Sequence, residues 1–266
     1  MDFTGKVVVI TGASSGIGEA LVYAFADRGA KVVMGARNSA KLAEIAAQLF
    51  TRGIEATDVT REEDCKRLIN KALSAFGRID ILICNAGISM RALFDDVQLD
   101  VLRQLMDVNF WGTVYCAKYA LPALQTAKGT LVGVSSVAGM HGLPGRTGYS
   151  ASKFAMTGLL ETIRIENLKK GVHVMVACPG FTASNVRFSA LTADGTSQGE
   201  SPRNESKMMS AEEVAQRIIR GIERRKRTLL MEFDGRATSL IGKFAPGLLD
   251  RLFYNHMAKE PDSPFK

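Results

Sequence analysis

The sequence predicts an α/β fold built on an open parallel sheet that helices cover on both faces. Short apolar segments rich in β-branched residues alternate with longer segments of helical periodicity. Such alternation is typical of right-handed βαβ units. Several of the apolar segments also lack polar residues at alternate positions, as expected of parallel strands that are buried on both faces.

Seven segments are candidate strands, at residues 6–11, 30–36, 54–59, 79–85, 129–136, 172–178 and 228–232. Helical patterns lie at residues 17–28, 39–50, 61–76, 99–126, 149–170 and 211–226. No linker divides residues 1–232 and no repeat of fixed period occurs. The sequence therefore predicts one domain over residues 1–266.

Two regions interrupt the alternation. Residues 184–210 are polar and rich in Ser, Gly and Asn, and a loop of this length inside a compact domain is usually either disordered or a lid over a site. We interpret it as a substrate loop. Residues 236–257 form an amphipathic C-terminal extension, which Pro246 divides into two pieces. Its apolar residues at helical spacing are Leu240, Ile241, Phe244, Leu248, Leu249, Leu252 and Phe253.

The composition narrows the class of protein. Lys and Arg exceed Asp and Glu by 34 − 27 = 7, and the pI is about 9.3, which suits an anionic ligand or simply a soluble basic protein. Four scattered cysteines without a C-x-x-C pair and three dispersed histidines argue against a metal site. No secretory signal and no apolar stretch of ~20 residues is present, so we expect a cytoplasmic protein.

A glycine-rich turn, TGASSGIG, follows the first candidate strand. Glycines there would let the backbone approach a pyrophosphate at the N-terminus of the next helix. The spacing differs from G-x-G-x-x-G, and glycines alone also serve tight turns. Its place in the first strand-to-helix turn of a parallel sheet favours cofactor binding. The residues that we assign to this cofactor turn are Gly12, Ser14, Ser15, Gly16, Ile17 and Gly18.

The end of the second candidate strand indicates which dinucleotide is bound. A site that selects NAD usually carries an Asp or Glu there, against the ribose 2′-hydroxyl. This segment instead reads MGARNSAK, with Arg37 and no acidic residue. A guanidinium can bind a 2′-phosphate through charge-assisted, bidentate hydrogen bonds. Arg37 could also be an ordinary solvated residue, but the missing acid together with the base favours NADP(H).

Tyr149 and Lys153 are four residues apart in GYSASKFAM and share one face if this segment is helical. For an isolated pair of this kind, a surface hydrogen bond is the more common explanation. The alternative is that the phenol and the ammonium act together in proton transfer. The remaining motifs decide between the two.

Five motifs, TGASSGIG, CNAG, GVSSVAG, YSASK and CPG, occur in a fixed order between residues 11 and 180. In these motifs the chain resembles the single-domain branch of the short-chain dehydrogenase/reductase family, with its TGxxxGxG and YxxxK patterns. The resemblance implies a Rossmann-like doubly wound parallel sheet of seven strands with helices on both faces. It also implies a nicotinamide cofactor, hydride transfer to or from a carbonyl or secondary alcohol, and assembly as a homodimer or homotetramer.

The resemblance also assigns individual roles. Tyr149 would be the general acid/base, Lys153 its partner, and Ser136 the serine that hydrogen-bonds the substrate oxygen. Asn109, in DVNFWG, would anchor the water of a proton relay. Further cofactor contacts would come from Asp58 and Val59 near the adenine, from Asn85, Ala86 and Gly87 beside the ribose, from Tyr149 and Lys153, and from Pro179, Gly180 and Thr182.

The chain departs from the family pattern at two places. Cys84 replaces the first asparagine of the usual N-N-A-G motif. After Pro179 and Gly180, Thr182 stands in place of a β-branched aliphatic residue, and Ser184 in place of a threonine. Cys84 lies at a strand end, a position that can tolerate the replacement. The changes at Thr182 and Ser184 concern the segment expected at the nicotinamide amide, not the segments expected at the phosphates.

The implied chemistry needs a proton on the substrate oxygen when hydride arrives. A free tyrosine has a pKa of about 10, and lowering it to about 7 requires roughly 4 kcal/mol. An ammonium at ~5 Å supplies about 3 kcal/mol at an effective dielectric constant near 20. We therefore expect Lys153 to lower the pKa of Tyr149, and Ser136 to stabilise the developing oxyanion.

The C-terminal part leaves alternatives open. The run RGIERRKRTLL (220–230) holds five cationic residues, and the amphipathic pieces follow it. The tail could line an apolar cleft for a lipid- or steroid-like carbonyl, form a subunit interface, or lie on a membrane surface, which is the least favoured of the three. A non-enzymatic NADP(H)-binding sensor on the same fold is the alternative function. Nucleic-acid binding through residues 220–227 has little support, because no aromatic residues are interleaved with the cations.

Overall fold

The computed structural model of the chain describes residues 2–49, 53–183, 188–199, 208–231, 242, 244–259 and 263. Its central element is a seven-stranded parallel sheet, which confirms the predicted Rossmann-like α/β class. Strand order reverses between β1 and β4, so a crevice opens there at the carboxyl ends of the strands. In sheet order the strands are β3 (Ile54–Ala56), β2 (Lys31–Ala36), β1 (Val7–Thr11), β4 (Ile81–Cys84), β5 (Thr130–Val134), β6 (His173–Cys178) and β9 (Thr228–Leu230).

Helices cover both faces of this sheet. On one face lie α1 (Gly16–Ala26), α2 (Ser39–Gln48) and α7 (Ala211–Glu223), and on the other lie α3 (Glu62–Phe76), α5 (Gly112–Ala127) and α6 (Thr147–Glu166). Successive side chains of β1 serve opposite faces: Val8 and Ile10 pack in the first layer, Val7 and Val9 in the second. Burial on both faces explains why the strand segments are continuously apolar.

The helix predicted at 99–126 is interrupted. It consists of α4 (Leu99–Leu105), a π-helical turn (Met106–Trp111) and α5. The hydroxyl of Thr113 donates to the carbonyl of Asn109 inside this turn (3.0 Å). Gly112 lets the helix approach the end of β3 closely, because a Cβ at Gly112 would lie 2.8 Å from Cβ of Val59.

Two other predicted elements differ at their ends. The strand predicted at 54–59 stops at Ala56, because the carboxylate of Asp58 accepts from the backbone N–H and the hydroxyl of Thr60 and forms a turn instead. The helix predicted at 149–170 begins two residues earlier, at Thr147, and ends at Glu166. A short 3₁₀ helix, Leu168–Lys170, follows it.

The predicted substrate loop (184–210) is only partly described, since residues 184–187 and 200–207 lie outside the described residues. Residues 188–199 form a hairpin that docks on the segment after β4: the N–H of Leu191 donates to the carbonyl of Ser89 (2.9 Å), and the N–H of Arg91 donates back to Leu191 (2.8 Å). Strands β7 (Thr182–Ala183) and β8 (Met209–Ser210) pair in parallel on either side of the loop.

The second piece of the C-terminal extension is a helix, α8 (Pro246–Ala258), and Pro246 is its first residue. Of the first piece, residues 236–241 and 243 lie outside the described residues. The ring of Phe253 in α8 lies 6.2 Å, between centroids, from the ring of His141, in the segment that joins β5 to α6. Over the part of the chain that is described, no helix has the length and apolar character that a membrane span requires.

Candidate active site

The glycine turn and the segment after β4 are joined by hydrogen bonds at the sheet crevice. The hydroxyl of Thr11 accepts from the N–H groups of Asn85 (3.0 Å) and Ala86 (3.1 Å). The side-chain amide of Asn85 donates in return to the carbonyls of Thr11 (3.0 Å) and Gly12 (3.3 Å). These bonds hold the TGASSGIG and CNAG motifs in one rigid unit.

Glycine is required in this unit because backbone segments touch. Gly12 has a φ of 65°, and a Cβ there would lie 2.8 Å from Cα of Ala86. At Gly18, in the first turn of α1, a Cβ would lie 2.1 Å from the carbonyl oxygen of Gly12. The turn therefore presents bare backbone at the N-terminus of α1, as a phosphate site needs. Ser14, Ser15, Gly16 and Ile17 lie at or next to this helix start, as predicted.

The predicted adenosine contacts flank this turn. Arg37 follows β2 directly and is exposed, and the N–H of Ala13 donates to the carbonyl of Gly35 (3.2 Å), which brings the turn against the end of β2. Asp58 and Val59 follow β3, the next strand in the sheet. The glycine turn, Arg37, and Asp58 with Val59 thus follow three successive strands, β1, β2 and β3, at their carboxyl ends.

Asn109 is fully buried in the π-helical turn and joins three segments. Its Oδ1 accepts from the N–H of Ile88 (2.9 Å), while its Nδ2 donates to the carbonyl of Ile88 (3.0 Å) and to Oγ of Ser152 (2.9 Å). A Cβ on Gly87 would lie 3.0 Å from Oδ1 of Asn109 and 3.3 Å from Nζ of Lys153. The CNAG loop, the π-helical turn and the YSASK helix thus meet at one point.

Ser136 and Tyr149 also meet. Ser136 ends the segment after β5, where its Oγ accepts from the N–H of Ala138 (3.1 Å) and caps a short 3₁₀ helix. Tyr149 lies in the first turn of α6 and is half-buried, and Ser136 is near enough to act on the pKa of its phenol, in the direction that lowers it. The two residues are therefore neighbours in the crevice.

Lys153 lies one helical turn after Tyr149, as the four-residue spacing predicts. Its side chain is 3% exposed, its Nζ lies 5.7 Å from the centroid of the Tyr149 ring, and it donates to the carbonyl of Val134 (2.9 Å). Burial lowers the pKa of this ammonium from 10.5 to about 8. The pair is therefore an internal one, and the surface hydrogen-bond explanation is wrong for this chain.

The pKa of Tyr149 differs from the expectation. Burial raises it above 10, whereas the hydrogen bond with Ser136 and the charge of Arg146 act to lower it. The sequence-based argument counted the attraction of the lysine and left out the desolvation of the phenol, which is the larger effect here. In this structure the tyrosine keeps its proton at neutral pH.

The CPG segment follows β6 and lies beside the serine. The N–H of Val137, next to Ser136, donates to the carbonyl of Pro179 (3.3 Å), and the buried hydroxyl of Thr182 donates to the carbonyl of Gly180 (3.2 Å). Ser184 lies outside the described residues.

Sequence reasoning missed Thr11 and Ser152, whose hydroxyls hold Asn85 and Asn109. Both residues lie inside motifs that had been identified, TGASSGIG and YSASK, so the motifs themselves were the available signal. Among the described residues, no three His, Cys, Asp or Glu side chains are grouped as a metal site would require.

The residues present fit a nicotinamide dinucleotide. Bare glycine backbone lies at the start of α1, the exposed Arg37 lies at the ribose end, and Tyr149, Lys153 and Asn109 lie farther along the same carboxyl edge. A side chain at Gly12, Gly18 or Gly87 would collide with its neighbours.

Comparison with known proteins gives one consistent family. Residues 6–194 match the sequence profile described as short chain dehydrogenase. The chain is 36% identical over 272 residues to 11-beta-hydroxysteroid dehydrogenase A of Arachis hypogaea, covering 98% of this chain and 78% of that protein. It is 34% identical over 267 residues to dehydrogenase/reductase SDR family member 7B of Mus musculus, covering 97% and 83%.

Solved structures agree in fold. A short chain dehydrogenase/reductase from Burkholderia phymatum in complex with NAD superposes with a TM-score of 0.82 at 25% identity, covering 93% of this chain and 96% of that one. An alcohol dehydrogenase from Thermococcus sibiricus complexed with 5-hydroxy-NADP gives 0.71 at 25% identity, covering 84% and 93%. The similar structures therefore include complexes of both kinds of cofactor.

Proposed function

Because the chain belongs to the short-chain dehydrogenase family, we propose that it is an NADP(H)-dependent oxidoreductase whose substrate is an apolar, lipid- or steroid-like carbonyl or secondary alcohol. The observation that carries this proposal is the constellation of Ser136, Tyr149 and Lys153 beside the CNAG loop. Three polar groups converge where a dinucleotide bound along the strand ends would place its nicotinamide. The family supports the coarser statement, an oxidoreductase acting on CH–OH or C=O groups.

The bound nicotinamide supplies or accepts the hydride. In reduction, the hydroxyls of Ser136 and Tyr149 both hydrogen-bond the carbonyl oxygen of the substrate and stabilise the negative charge that develops there. Tyr149 then donates its proton to that oxygen. A phenol whose pKa is raised by burial is protonated at neutral pH, so it is in the correct state to act as the acid.

Lys153 and Asn109 support this proton transfer. Once the proton has left, the charge of the Lys153 ammonium, whose Nζ lies 5.7 Å from the centroid of the Tyr149 ring, stabilises the phenolate in a site of low dielectric constant. Asn109 holds the CNAG loop against the YSASK helix through Ile88 and Ser152. Its role in anchoring a relay water remains part of the proposal.

Arg37 is the basis for proposing NADP(H) over NAD(H). It is the first residue after β2, it is exposed, and Asn38 next to it caps α2 by accepting from the N–H of Lys41 (3.0 Å). The guanidinium is thus free to turn towards a 2′-phosphate while the backbone around it stays fixed. No carboxylate follows β2 to bind an unmodified ribose.

An apolar substrate is supported by the surroundings of Tyr149. Its ring packs on a cluster that includes Met90, Leu105 and Leu191, so the side chains beside the catalytic hydroxyl are mainly hydrocarbon. The C-terminal helix α8 packs on His141, in the segment that carries Ser136 and leads to Tyr149. Several of the similar plant proteins are named as hydroxysteroid dehydrogenases.

Tyr149→Phe tests the mechanism. We expect the variant to bind NADPH as the parent does, followed by nicotinamide fluorescence, and to lose turnover of apolar ketones by a factor of about 10²–10⁴. Tyr115→Phe, at a half-buried position of α5, is the matched control and should be active. Near-normal kcat in Tyr149→Phe would refute the assignment, and binding without turnover by the parent on any ketone would favour a sensor.

Arg37→Glu tests the cofactor. The ratio of kcat/KM for NADPH to that for NADH should fall at least tenfold, because a carboxylate repels the 2′-phosphate and accepts from a ribose hydroxyl. Arg103→Glu, an exposed residue of α4, should leave the ratio unchanged. An unchanged ratio in Arg37→Glu would remove this residue from the phosphate site. We also propose that the protein is cytoplasmic and that it forms a homodimer or homotetramer. Light scattering of the purified protein tests the oligomeric state.

A further inference from the structure

The surface at the amino ends of the strands, opposite the active site at their carboxyl ends, is strongly cationic. The turns before β5, β6 and β9 contain Lys128, Lys169 and Lys170, and the run 224–227, respectively. These three strands are neighbours in the sheet and run in parallel, so the turns that precede them lie side by side. We call the seven residues the amino-edge patch: Lys128, Lys169, Lys170, Arg224, Arg225, Lys226 and Arg227. All seven are exposed.

Direct contacts join the three turns. The side chain of Lys128 passes over Gly171, where a Cβ would lie 3.4 Å from its Cγ. From the other side, Nη2 of Arg225 donates to the carbonyl of Gly171 (3.5 Å). A ring nitrogen of His173 lies 2.8 Å from the carbonyl of Lys226. The patch is therefore one continuous surface that residues far apart in sequence build together.

Two of these cations occupy backbone positions that normally select glycine. Lys128, at the end of α5, and Arg225, after α7, both have a φ of 48°, and no other non-glycine residue of the described chain has a positive φ. A left-handed backbone is unfavourable for residues with a Cβ. Glycine would fit both turns without strain, so the charged side chains themselves are the feature to be explained.

The charge of the patch is poorly compensated. Glu166 and Glu223 are the nearest acidic residues in sequence, and within the described part of the chain neither forms an ion pair with a patch residue. Arg164, in the last turn of α6, pairs through Nη2 with Glu161 (3.5 Å), and its buried Nη1 finds no hydrogen-bond partner among the described residues. Burial lowers the pKa of His173, the hydrogen bond with Lys226 acts to raise it, and the charges of Arg225 and Arg164 act to lower it.

Exposed hydrocarbon adjoins the cations. Leu168, which directly precedes Lys169 and Lys170, is 61% exposed, and Ile165, three residues before Leu168, is 65% exposed. Large aliphatic side chains gain nothing from contact with a phosphodiester backbone, and the seven patch residues include no aromatic ring for base stacking. Cations flanking exposed aliphatic side chains are instead the pattern of a protein that rests on an anionic lipid bilayer.

We propose that the amino-edge patch docks the protein on a membrane surface rich in anionic lipid, with Ile165 and Leu168 entering the interfacial layer. The basic run at 224–227 and the lysines Lys128 and Lys169 thus form one docking surface. The C-terminal extension is not part of this surface, because α8 packs on His141, beyond the carboxyl end of β5. Docking through the amino edge leaves the crevice at the carboxyl edge open. This inference does not depend on the proposed activity.

The test is co-sedimentation with vesicles of phosphatidylcholine containing about 30 mol% phosphatidylserine, against vesicles of phosphatidylcholine alone. The parent protein should bind only the anionic vesicles and should be released as salt rises from about 0.1 M to about 1 M. Lys169→Gln/Lys170→Gln/Lys226→Gln should weaken binding by about 100-fold, since each basic residue near the surface contributes roughly a factor of five.

Two further variants separate the possible outcomes. Lys66→Gln/Lys71→Gln/Lys118→Gln removes the same charge from another face and should lower binding less than tenfold. Ile165→Gln/Leu168→Gln should weaken vesicle binding while leaving the charge intact. Equal loss in both lysine triples would mean general electrostatic attraction and would overturn the proposal. So would binding to duplex DNA but not to anionic vesicles, or vesicle binding unaffected by the Ile165 and Leu168 substitutions. The circular-dichroism spectrum of each variant verifies that it is folded.

Discussion

Replacing Lys153 by methionine should inactivate the protein and at the same time stabilise it. The ammonium is 3% exposed, and burial lowers its pKa from 10.5 to about 8. A difference of about 2.5 in pKa corresponds to about 3 kcal/mol by which the native state disfavours the charged lysine. Methionine has a similar length and no charge, but it cannot donate to the carbonyl of Val134, which costs about 1 kcal/mol. We expect a net gain of about 2 kcal/mol at pH 7.

The pH dependence identifies the cause. Because the pKa is lower in the folded state, the native lysine loses its proton above pH ~8 while the unfolded one still keeps it up to pH ~10.5. In this window the unfolded state binds more protons, so the parent becomes more stable relative to the variant as pH rises. The advantage of Lys153→Met should thus be greatest below pH ~8 and should vanish near pH 10.

Urea unfolding followed by circular dichroism, at pH 7 and near pH 10, measures this difference. Lys71→Met, an exposed lysine on α3, is the matched control and should change the free energy of unfolding by less than about 0.5 kcal/mol at both values. A Lys153→Met variant that is less stable than the parent at pH 7, or whose advantage is the same at both pH values, would refute the reasoning.

Two other substitutions test the packing of the cofactor turn and the contacts of the residue that precedes β4. Gly18→Ala places a Cβ 2.1 Å from the carbonyl oxygen of Gly12, so we expect at least tenfold weaker NADPH binding by fluorescence and a free energy of unfolding that is lower by about 1–3 kcal/mol. Gly158→Ala, which has open space around it, is the control and should be neutral or slightly stabilising. Equal effects at both sites would contradict the steric argument. Asp80→Asn should cost about 1–3 kcal/mol at pH 7, because the amide loses the ion pairs that the buried carboxylate makes with Arg78 (2.6 Å) and Lys6 (3.2 Å). Burial raises the pKa of Asp80, but its hydrogen bonds outweigh burial and lower the pKa below 3.8. The loss in the free energy of unfolding should therefore be full above pH ~4 and should fade as the pH falls further. A loss that does not depend on pH would exclude this ionic contribution.

The sheet and the cofactor turn could be predicted because local patterns determine them. Continuously apolar β-branched segments are the direct result of burial on both faces, and the glycines at 12 and 18 are required by backbone contacts that any sequence with this turn must make. The spacing of Tyr149 and Lys153 likewise follows from helix geometry alone. That the chain forms one domain, and that residues 184–210 are a substrate loop, stay predictions.

Other features depend on three-dimensional surroundings that no local pattern reveals. The raised pKa of Tyr149 comes from burial by segments far away in sequence. Cys65, Cys84 and Cys116 look scattered, yet they pack in one apolar layer, where a hydrogen bond with Cys65 and burial raise the pKa of the Cys116 thiol. The sequence predicts a polar loop over residues 188–199, whereas these residues form a hairpin whose docking depends on two buried side chains, Ala190 and Leu191.

The π-helical turn at Met106–Trp111 has a consequence for the geometry of everything after it. Each residue of an α-helix turns the chain by about 100°, and a π-helical turn accommodates its residues with a smaller rotation per residue. The interruption therefore resets the angular phase of α5 relative to α4. Asn109 faces Ile88 and Ser152, whereas Gly112, three residues later, faces Val59, so the winding of the turn sets the angle between these two contacts. The direction in which the Asn109 side chain points therefore depends on the π-helical winding of the backbone as well as on the side chain itself.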